Sequence, residues 1–413
     1  MSRRNSIIII LAVLFIIIIA LLFWYFYNGT TPSTIPVTVN QGQTLPFGNN
    51  SGNKATTTTS TNPVGQTGTT TKAIGKLTQI YKTPTSGSVF FMRGNNDVLR
   101  FTDRANGNTY EYIPQTNPDA PTRITNTTIP KIQESVWASG ENNLVLRYMD
   151  DNTDGIVSFA GKINTSTTTV GVVGQIIGAF LPASIQQLAI NPSGNQIFSL
   201  LNTTDNSGSI GVSSSLDGAN KKQIFSSPLS ALNVSWPKDN ILTFTTKPTY
   251  DRYGDLFFYN IQTNAFTKII GNMSGMSTLT NGDASLVAFS HNQNSLPVLN
   301  VFDVKNNNSK TVQFYDLADK CVWGQNNKNM LYCSAPKNVQ SANYPDVWYQ
   351  GLASFADNFW QIDTQTGATK LLYSTNNTNE NIDGMDMTIS QDDKYIVIQN
   401  KNDLSLWLLN LNI

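Results

Sequence analysis

Hydrophobic and polar positions alternate in short runs from about residue 75 to the end of the chain. The runs are rich in β-branched and aromatic side chains and are bounded by Gly, Pro, Asn or Asp, which is the pattern of half-buried β-strands. The predicted strands recur in groups of four. The second strand of each group is predicted to begin near one of these residues: Val98, Asn143, Gln196, Ile241, Ser285, Asn329 and Tyr395. Several intervals are about 45 residues, the period of the four-stranded blades of a β-propeller.

The first and fourth strands of the groups carry distinct patterns. First strands, such as 231–236 and 385–390, end in turns whose residues tolerate or preset the backbone angles of a hairpin. Fourth strands place one long polar residue before two apolar ones, as expected for an outer strand that packs on one side only. Four segments share this pattern: Lys268-Ile269-Ile270, Gln223-Ile224-Phe225, Gln313-Phe314-Tyr315 and Lys370-Leu371-Leu372.

The count gives seven groups, and the last lacks a fourth strand. Residues 76–81 precede the first group and have the same polar–apolar–apolar ending. We therefore expect this segment to pair with the final strand at 404–409, which closes the ring and removes the open sheet edge. A six- or eight-bladed ring is the alternative, because the segment 162–181 is irregular. The predicted fold class is an all-β, seven-bladed β-propeller of four-stranded antiparallel blades, spanning residues 74–413.

Two kinds of turn carry a resemblance to known propellers. They are exemplified by Pro192-Ser193-Gly194-Asn195, Gln391-Asp392-Asp393-Lys394 and Asp363-Thr364-Gln365-Thr366-Gly367. The first two resemble the Ser-Pro-Asp-Gly turn of TolB-like and WD40-like β-propellers, and the third resembles their outer hairpin. The Gly-His and Trp-Asp signatures of WD40 repeats are absent from the sequence, which favours the TolB-like side. The resemblance covers about residues 75–413 and implies a fold only, because these families perform unrelated functions.

The N-terminus carries a continuous apolar run at residues 7–27. At about 1.5 Å per residue, a helix of this length spans the roughly 30 Å hydrocarbon core of a bilayer. Arg3 and Arg4 precede it and no basic cluster follows, so the positive-inside rule predicts that residues 1–6 are a cytoplasmic tail. The alternative is a cleaved signal peptide, but no Ala-x-Ala-like site follows the aromatic residues at 23–27. We expect a signal-anchor helix in the lipid bilayer and an extracytoplasmic propeller on a single-pass cell-membrane protein.

Residues 28–73 form a low-complexity segment of Thr, Ser, Gly, Asn, Gln and Pro, in which Lys54 and Lys72 are the only charges. Such a segment buries too little apolar surface to offset the entropy of ordering. It is predicted to be a flexible stalk with a mean span of about 35–40 Å.

Composition narrows the function classes. The 413 residues contain 27 Lys+Arg and 27 Asp+Glu, so charged residues make up only 13% of the chain, against about a quarter in typical domains. No basic stripe is present to neutralise phosphates, so no nucleic-acid partner is expected. The single histidine, His291, is expected in a loop without catalytic partners. No nucleophile elbow, P-loop or zinc-site spacing occurs in the sequence, and no cofactor is predicted.

The loops between second and third strands emerge on one face of a propeller, and the longest of them, 336–356, is rich in aromatic residues. Exposed aromatic and Arg side chains suit the recognition of a protein or a cell-envelope glycan. The binding-face candidates are Tyr344, Asp346, Trp348, Tyr349, Tyr250, Arg252 and Tyr253. The structural alternative is that the insertion packs its rings on the rim as a flap. The enzymatic alternative is a hydrolase or lyase of cell-surface polymers that uses loop carboxylates such as Asp346.

Two smaller features complete the candidates. Asp150, Asn152 and Asp154 copy the first half of a Ca²⁺-binding loop, but Gly161 occupies the position of the closing Glu, and an Asn-rich turn without metal is the alternative. Cys321 and Cys333 are predicted to lie opposite each other on neighbouring strands of the sixth blade. In an extracytoplasmic setting this position favours a disulfide, with two buried core thiols as the alternative.

Overall fold

The computed structural model describes residues 43–44, 75–140, 142–151, 155–164, 173–376 and 380–413. Within these ranges, no helix has both the length and the apolar composition needed to cross a membrane. The predicted membrane segment, residues 7–27, lies outside them, as does the predicted stalk apart from residues 43–44.

Two short strands precede the blades, and the first three blades follow in chain order. The preceding strands are β1 (Gln43–Thr44) and β2 (Leu77–Tyr81). Blade 1 contains β3 (Thr85–Arg93), β4 (Asn96–Asp103), β5 (Thr109–Tyr112) and β6 (Thr122–Arg123). Blade 2 contains β7 (Ile132–Trp137), β8 (Asn143–Asp150), β9 (Gly155–Asn164) and β10 (Gln175–Phe180). Blade 3 contains β11 (Ile185–Ile190), β12 (Gln196–Asn202), β13 (Ser209–Ser215) and β14 (Lys222–Ser227).

Blades 4 to 6 repeat the same four-strand order. Blade 4 contains β15 (Leu232–Lys238), β16 (Ile241–Thr246), β17 (Tyr253–Asn260) and β18 (Phe266–Ser274). Blade 5 contains β19 (Ser277–Thr280), β20 (Leu286–Gln293), β21 (Leu296–Asp303) and β22 (Asn308–Tyr315). A 3₁₀ turn (Ala318–Lys320) leads into blade 6, which contains β23 (Cys321–Trp323), β24 (Met330–Pro336), β25 (Asp357–Asp363) and β26 (Thr369–Tyr373), with the short helix α1 (Asp346–Tyr349) between β24 and β25.

Blade 7 closes the ring with strands from both ends of the domain. It contains β27 (Gly384–Ile389), β28 (Tyr395–Asn400) and β29 (Leu406–Asn410), and β2 supplies its fourth strand. Leu77 lies opposite Leu409 and Thr78 opposite Leu408 in an antiparallel pair. The pairing expected for residues 76–81 is therefore present, and the structure has seven blades, not six or eight. The second strands begin within two residues of their predicted starts.

The hydrophobic core lies mainly between neighbouring blades, because each sheet presents alternate residues to the sheets on its two sides. Between blades 3 and 4, the rings of Phe225 and Phe244 stack with centroids 4.2 Å apart. Between blades 7 and 1, Val397 and Leu408 pack with Leu99 and Phe101, all fully buried. Ile80 and Tyr81 of the closing strand pack against the same cluster, so β2 also contributes to the contact between the last blade and the first.

One edge of the ring differs from the predicted pattern. Gln43–Thr44, inside the predicted stalk, pair as β1 with the outer strand β10 of blade 2.

In blade 6, Cys321 and Cys333 are opposite each other in the register, as predicted, and form a disulfide. This bond links the inner strand β23 to β24 beside the start of the blade.

Antiparallel topology divides the connections between two faces of the ring. The connections from second to third strands, and those from one blade to the next, emerge together on what we call the top face. The top face therefore carries the connection 337–356, the connection 247–252 of blade 4 and the 3₁₀ turn before blade 6. The inner strands β3, β7 and β27 line one side of the central channel and begin at this face.

Candidate functional site

The connection between β24 and β25, residues 337–356, crosses the top face from blade 6 toward blade 4, and we call it the flap. Its first half forms hydrogen bonds with the β20–β21 hairpin of blade 5. The amide of Ala342 donates to the carbonyl of Ser295 at 2.9 Å, and Nδ2 of Asn292 donates to the carbonyl of Tyr344 at 3.0 Å. The flap is thus fixed to a blade that does not contain it.

Helix α1 attaches the flap to blade 4. The Asp346 carboxylate accepts hydrogen bonds from the amide of Tyr250 at 2.6 Å and from Oγ1 of Thr249 at 2.9 Å. The insertion and the 247–252 connection, which were predicted to share a face, are therefore brought into contact. Both oxygens of Asp346 therefore accept hydrogen bonds that attach the flap to blade 4.

Two of the predicted binding-face residues are buried beneath the flap. Tyr344 and Trp348 retain 2% and 4% of their accessible surface, and they pack with Leu317 and Phe355 in one apolar cluster. Burial of this kind removes them from any contact with a partner. For these two side chains, the structural alternative of a packed flap describes what is found.

A buried ion cluster holds the flap to the inner strands of blades 6 and 7. Lys320 Nζ lies 2.7 Å from Oδ2 of Asp357 and 2.5 Å from Oδ1 of Asp383, and all three side chains are fully buried. Asp383 also accepts hydrogen bonds from Nε1 of Trp348 at 3.0 Å and from the amide of Phe355 at 3.1 Å. Asp383 therefore connects the flap directly to the lysine.

The electrostatics of this ion cluster explain how a lysine is accommodated without solvent. Burial alone lowers the pKa of Lys320, but Asp357 and Asp383 outweigh burial and raise it, so the ammonium is retained. Burial raises the pKa of Asp357 to about 6 even though Lys320 opposes the rise. Burial also raises the pKa of the neighbouring Asp316 well above its ordinary value. The cluster is closed to solvent, so its role is structural.

An open cavity of about 440 Å³ lies at the mouth of the central channel on the top face. Strands β3, β7 and β27 supply most of its wall, so blades 1, 2 and 7 meet there. Its charged lining residues are Arg104, Glu134 and Asp386. Hydroxyl and amide groups make up much of the remainder: Ser86, Ser88, Ser135, Gln133, Thr388 and Gln399. We call this cavity the channel mouth.

Asp386 has an unusual backbone at the channel mouth. The pairing of β27 with β28 shifts register between Met385 and Thr388, which is a β-bulge, and Asp386 within it has a φ of +45°. Bulges redirect side chains, and positive φ at a non-glycine residue is a conformation that the surrounding structure must enforce. The Asp386 carboxylate is exposed to the channel. Enclosure by the channel walls, followed by the charges of Glu134 and Asp319, raises the pKa of Asp386 to about 6.

Tyr349 of the flap contacts the 3₁₀ turn that leads into blade 6. Its hydroxyl donates to Oδ1 of Asp319 at 3.0 Å, and the residue is 42% exposed. Further out on the top face, Tyr253 is 78% exposed, and Tyr250 is also exposed, as is the Arg252 side chain. Leu352 of the flap, which the sequence did not single out, is 75% exposed. We call Tyr250, Arg252, Tyr253, Tyr349 and Leu352 the exposed patch.

The remaining predicted candidates are His291 and the Ca²⁺-loop residues. His291 lies within β20 and not in a loop, because β20 and β21 stay paired as far as Gln293 and Leu296. Its Nδ1 is 3.3 Å from Nδ2 of Asn300, and burial lowers the pKa of the ring. Of the Ca²⁺ candidates, Asp150 ends β8, whereas Asn152 and Asp154 lie outside the described residues.

Comparisons with known proteins identify the fold. No family model and no curated protein sequence match this chain. An oligogalacturonate lyase from Vibrio parahaemolyticus has a TM-score of 0.52 at 8% identity, with 80% of this chain and 90% of that chain covered. A puromycin hydrolase gives 0.51 at 13% identity, with 76% and 50% covered. The tricorn protease gives 0.50 at 9% identity, with 83% and 34% covered. Identities this low show the seven-bladed propeller fold alone.

Proposed function

We propose that this protein is a membrane-anchored, extracytoplasmic β-propeller whose top face binds a protein or a cell-envelope glycan. One observation carries the proposal: the flap is rigidly attached at three blades and yet leaves apolar side chains in water. A connection needed only to cover the rim would bury its apolar residues, as this flap buries Tyr344 and Trp348. It leaves Leu352 exposed on the same face as the exposed Tyr250, Arg252 and Tyr253, and aromatic and Arg residues are favoured at binding hot spots.

The location of the propeller rests on the sequence and on one structural feature. The apolar run at 7–27, preceded by Arg3 and Arg4, supports a single anchor with the propeller outside the cytoplasm. The disulfide between Cys321 and Cys333 suits an oxidising compartment. Membrane fractionation and labelling of intact cells test this placement. Recovery of the full-length chain in the soluble cytoplasmic fraction would contradict it.

The binding proposal is tested by affinity capture from detergent-solubilised membranes with two matched double variants. Tyr253→Ser with Leu352→Ser changes the exposed patch, and Tyr315→Ser with Leu371→Ser changes an exposed Tyr and an exposed Leu on the outer strands of blades 5 and 6. We expect the same protein or glycan to be recovered by the wild type and the outer-strand variant, and to be lost with the patch variant. Equal recovery with all three forms would refute the top face as the binding surface.

A hydrolase or lyase acting on cell-surface polymers is the second candidate, because the channel mouth contains two carboxylates, Asp386 and Glu134, in an open cavity. Glycosidase-type chemistry uses paired carboxylates with different pKa values. Incubation of cell-envelope polymers with the wild type and with Asp386→Asn tests this candidate. Release of oligosaccharides by the wild type alone would support it, and no release by either would count against it.

A further inference from the structure

The groups around the channel mouth carry a net negative charge. Glu134, Asp319 and Asp386 contribute three carboxylates, and all three interact electrostatically there. Two guanidinium groups oppose them. Arg147 donates a hydrogen bond to Glu134 at 2.7 Å, and Arg104 donates one to Gln133 at 2.8 Å. These three carboxylates and two guanidinium groups give a net charge of −1 around a concave cavity, where the field of a fixed charge is concentrated.

The surplus charge belongs to Asp386. Glu134 is paired with Arg147, and Asp319 accepts the hydroxyl of Tyr349. Across the described part of the chain, Asp386 has no hydrogen bond or ion pair. Asp386 lies in the bulge with positive φ and lines the cavity. An exposed carboxylate without a protein partner, on a residue held at positive φ, is a position at which a ligand of opposite charge can bind.

An aromatic ring lies beside one of these carboxylates, Asp319. Because the Tyr349 hydroxyl donates a hydrogen bond to Asp319, the ring is held next to that carboxylate, and the residue is partly exposed. Aromatic faces attract ammonium and guanidinium groups, and carboxylates pair with them through charge-assisted hydrogen bonds. A divalent cation fits less well, since Ca²⁺ takes six to eight oxygen ligands and Asp386 is the carboxylate left unpaired here.

We propose that the channel mouth receives a lysine or arginine side chain of a protein partner, with Asp386 as its counter-ion and Tyr349 beside it. This inference rests on the proposed function, since the exposed patch on the same face supplies the rest of the contact. The cavity of about 440 Å³ is large enough for one long basic side chain. Because the proposed ligand is a basic side chain, this inference favours a protein over a neutral glycan as the partner.

Binding of small probes to the purified full-length chain in detergent tests the inference by calorimetry. The probes are arginine amide, lysine amide and citrulline amide, the last matching arginine amide in shape but lacking the side-chain charge. The key variant is Asp386→Asn, because Asn tolerates positive φ and keeps the backbone of the bulge. Asp251→Asn, which removes another exposed top-face carboxylate, is the control.

We expect saturable binding of arginine amide or lysine amide, and binding at least about tenfold weaker for citrulline amide and for Asp386→Asn, as loss of a charge-assisted hydrogen bond implies. Asp251→Asn should bind as the wild type does. The inference is overturned if neither cation binds, if citrulline amide binds equally, or if Asp386→Asn has no effect. Such a result leaves the proposed function standing if the patch variant still loses its partner. Failure of the patch variant to lose its partner refutes the proposed function instead.

Discussion

Replacing Lys320 by Met tests whether the buried ion cluster holds the structure together. Met has nearly the length of Lys, so the substitution removes the charge without leaving a large cavity. It breaks the contacts of Nζ with Asp357 at 2.7 Å and Asp383 at 2.5 Å, and its hydrogen bond to the carbonyl of Gly384 at 3.1 Å. Two fully buried carboxylates then lose their counter-ion.

The expected magnitude follows from that burial. Removing one partner of a buried ion pair costs about 3–5 kcal/mol, because the remaining charge is left uncompensated. At the roughly 2 °C per kcal/mol typical of large domains, Tm should fall by about 6–10 °C. The exposed pair of Lys131 and Asp151 provides the control, since an exposed ion pair contributes about 0–1 kcal/mol. Lys131→Met should therefore leave Tm almost unchanged.

The loss should also depend on pH, with a sign that the pKa values determine. The pKa of Asp357 is raised to about 6, so the folded state binds more protons than the unfolded state between about pH 4 and 6. The contribution of this group to stability therefore declines as pH rises through that window. Without Lys320 the pKa of Asp357 rises further, and protonation relieves the unpaired charge at low pH. The deficit of Lys320→Met should be small at pH 5 and large at pH 8.

Thermal unfolding of the wild type, Lys320→Met and Lys131→Met at pH 5 and pH 8, followed by circular dichroism, measures both effects. The reasoning is refuted if Lys320→Met melts with the wild type at pH 8. It is equally refuted if the deficit is the same at both pH values, because an uncompensated buried carboxylate must respond to protons.

Three further predictions concern closure, the disulfide and the flap. Deleting residues 76–81 removes the fourth strand of blade 7, so we expect a lower Tm and concentration-dependent light scattering from the exposed edge of β29; a monomer with unchanged Tm would contradict the closure. Replacing Cys321 and Cys333 together by Ala should lower the free energy of unfolding in urea by about 2–4 kcal/mol, and the oxidised wild type should be two hydrogens lighter than its reduced form; an equal mass would contradict the bond. Trp348→Phe removes the hydrogen bonds to Asp383, so proteolysis within 337–356 should become about tenfold faster while the blades stay intact; an unchanged cleavage rate would refute the attachment.

The propeller was predictable from the sequence because its signals are local and repeated. The apolar ending of residues 76–81 was sufficient to predict closure with the last blade. The ends of the strands were harder to predict from the sequence. His291 was expected after the end of a strand, yet it lies inside β20 because the turn that follows consists only of Asn294 and Ser295. The turn residues Asn294 and Ser295 both have positive φ, which one-residue propensities for Ser do not suggest.

The site was less predictable because its determinants are distant in sequence. Lys320 is 37 residues from Asp357 and 63 from Asp383, and a charged residue in a connection is ordinarily expected to face solvent. Asp386 lay within a segment predicted to be a regular strand, and the bulge that redirects it leaves no mark on the alternation of side chains. The acidic position inside an inner strand was the available signal. The exposed aromatic residues of the 247–252 connection and the flap were predicted, but which rings would be buried depended on tertiary packing.

Photo-crosslinking in intact membranes tests the central claim, that the top face is the binding surface, most directly. A benzophenone-bearing residue is introduced in place of Leu352 on the flap, and separately in place of Tyr315 on the outer strand of blade 5, both exposed positions. A partner bound at the top face predicts a discrete crosslinked product from position 352 and none from position 315. A product from position 315 alone, or no product from position 352, would contradict the claim.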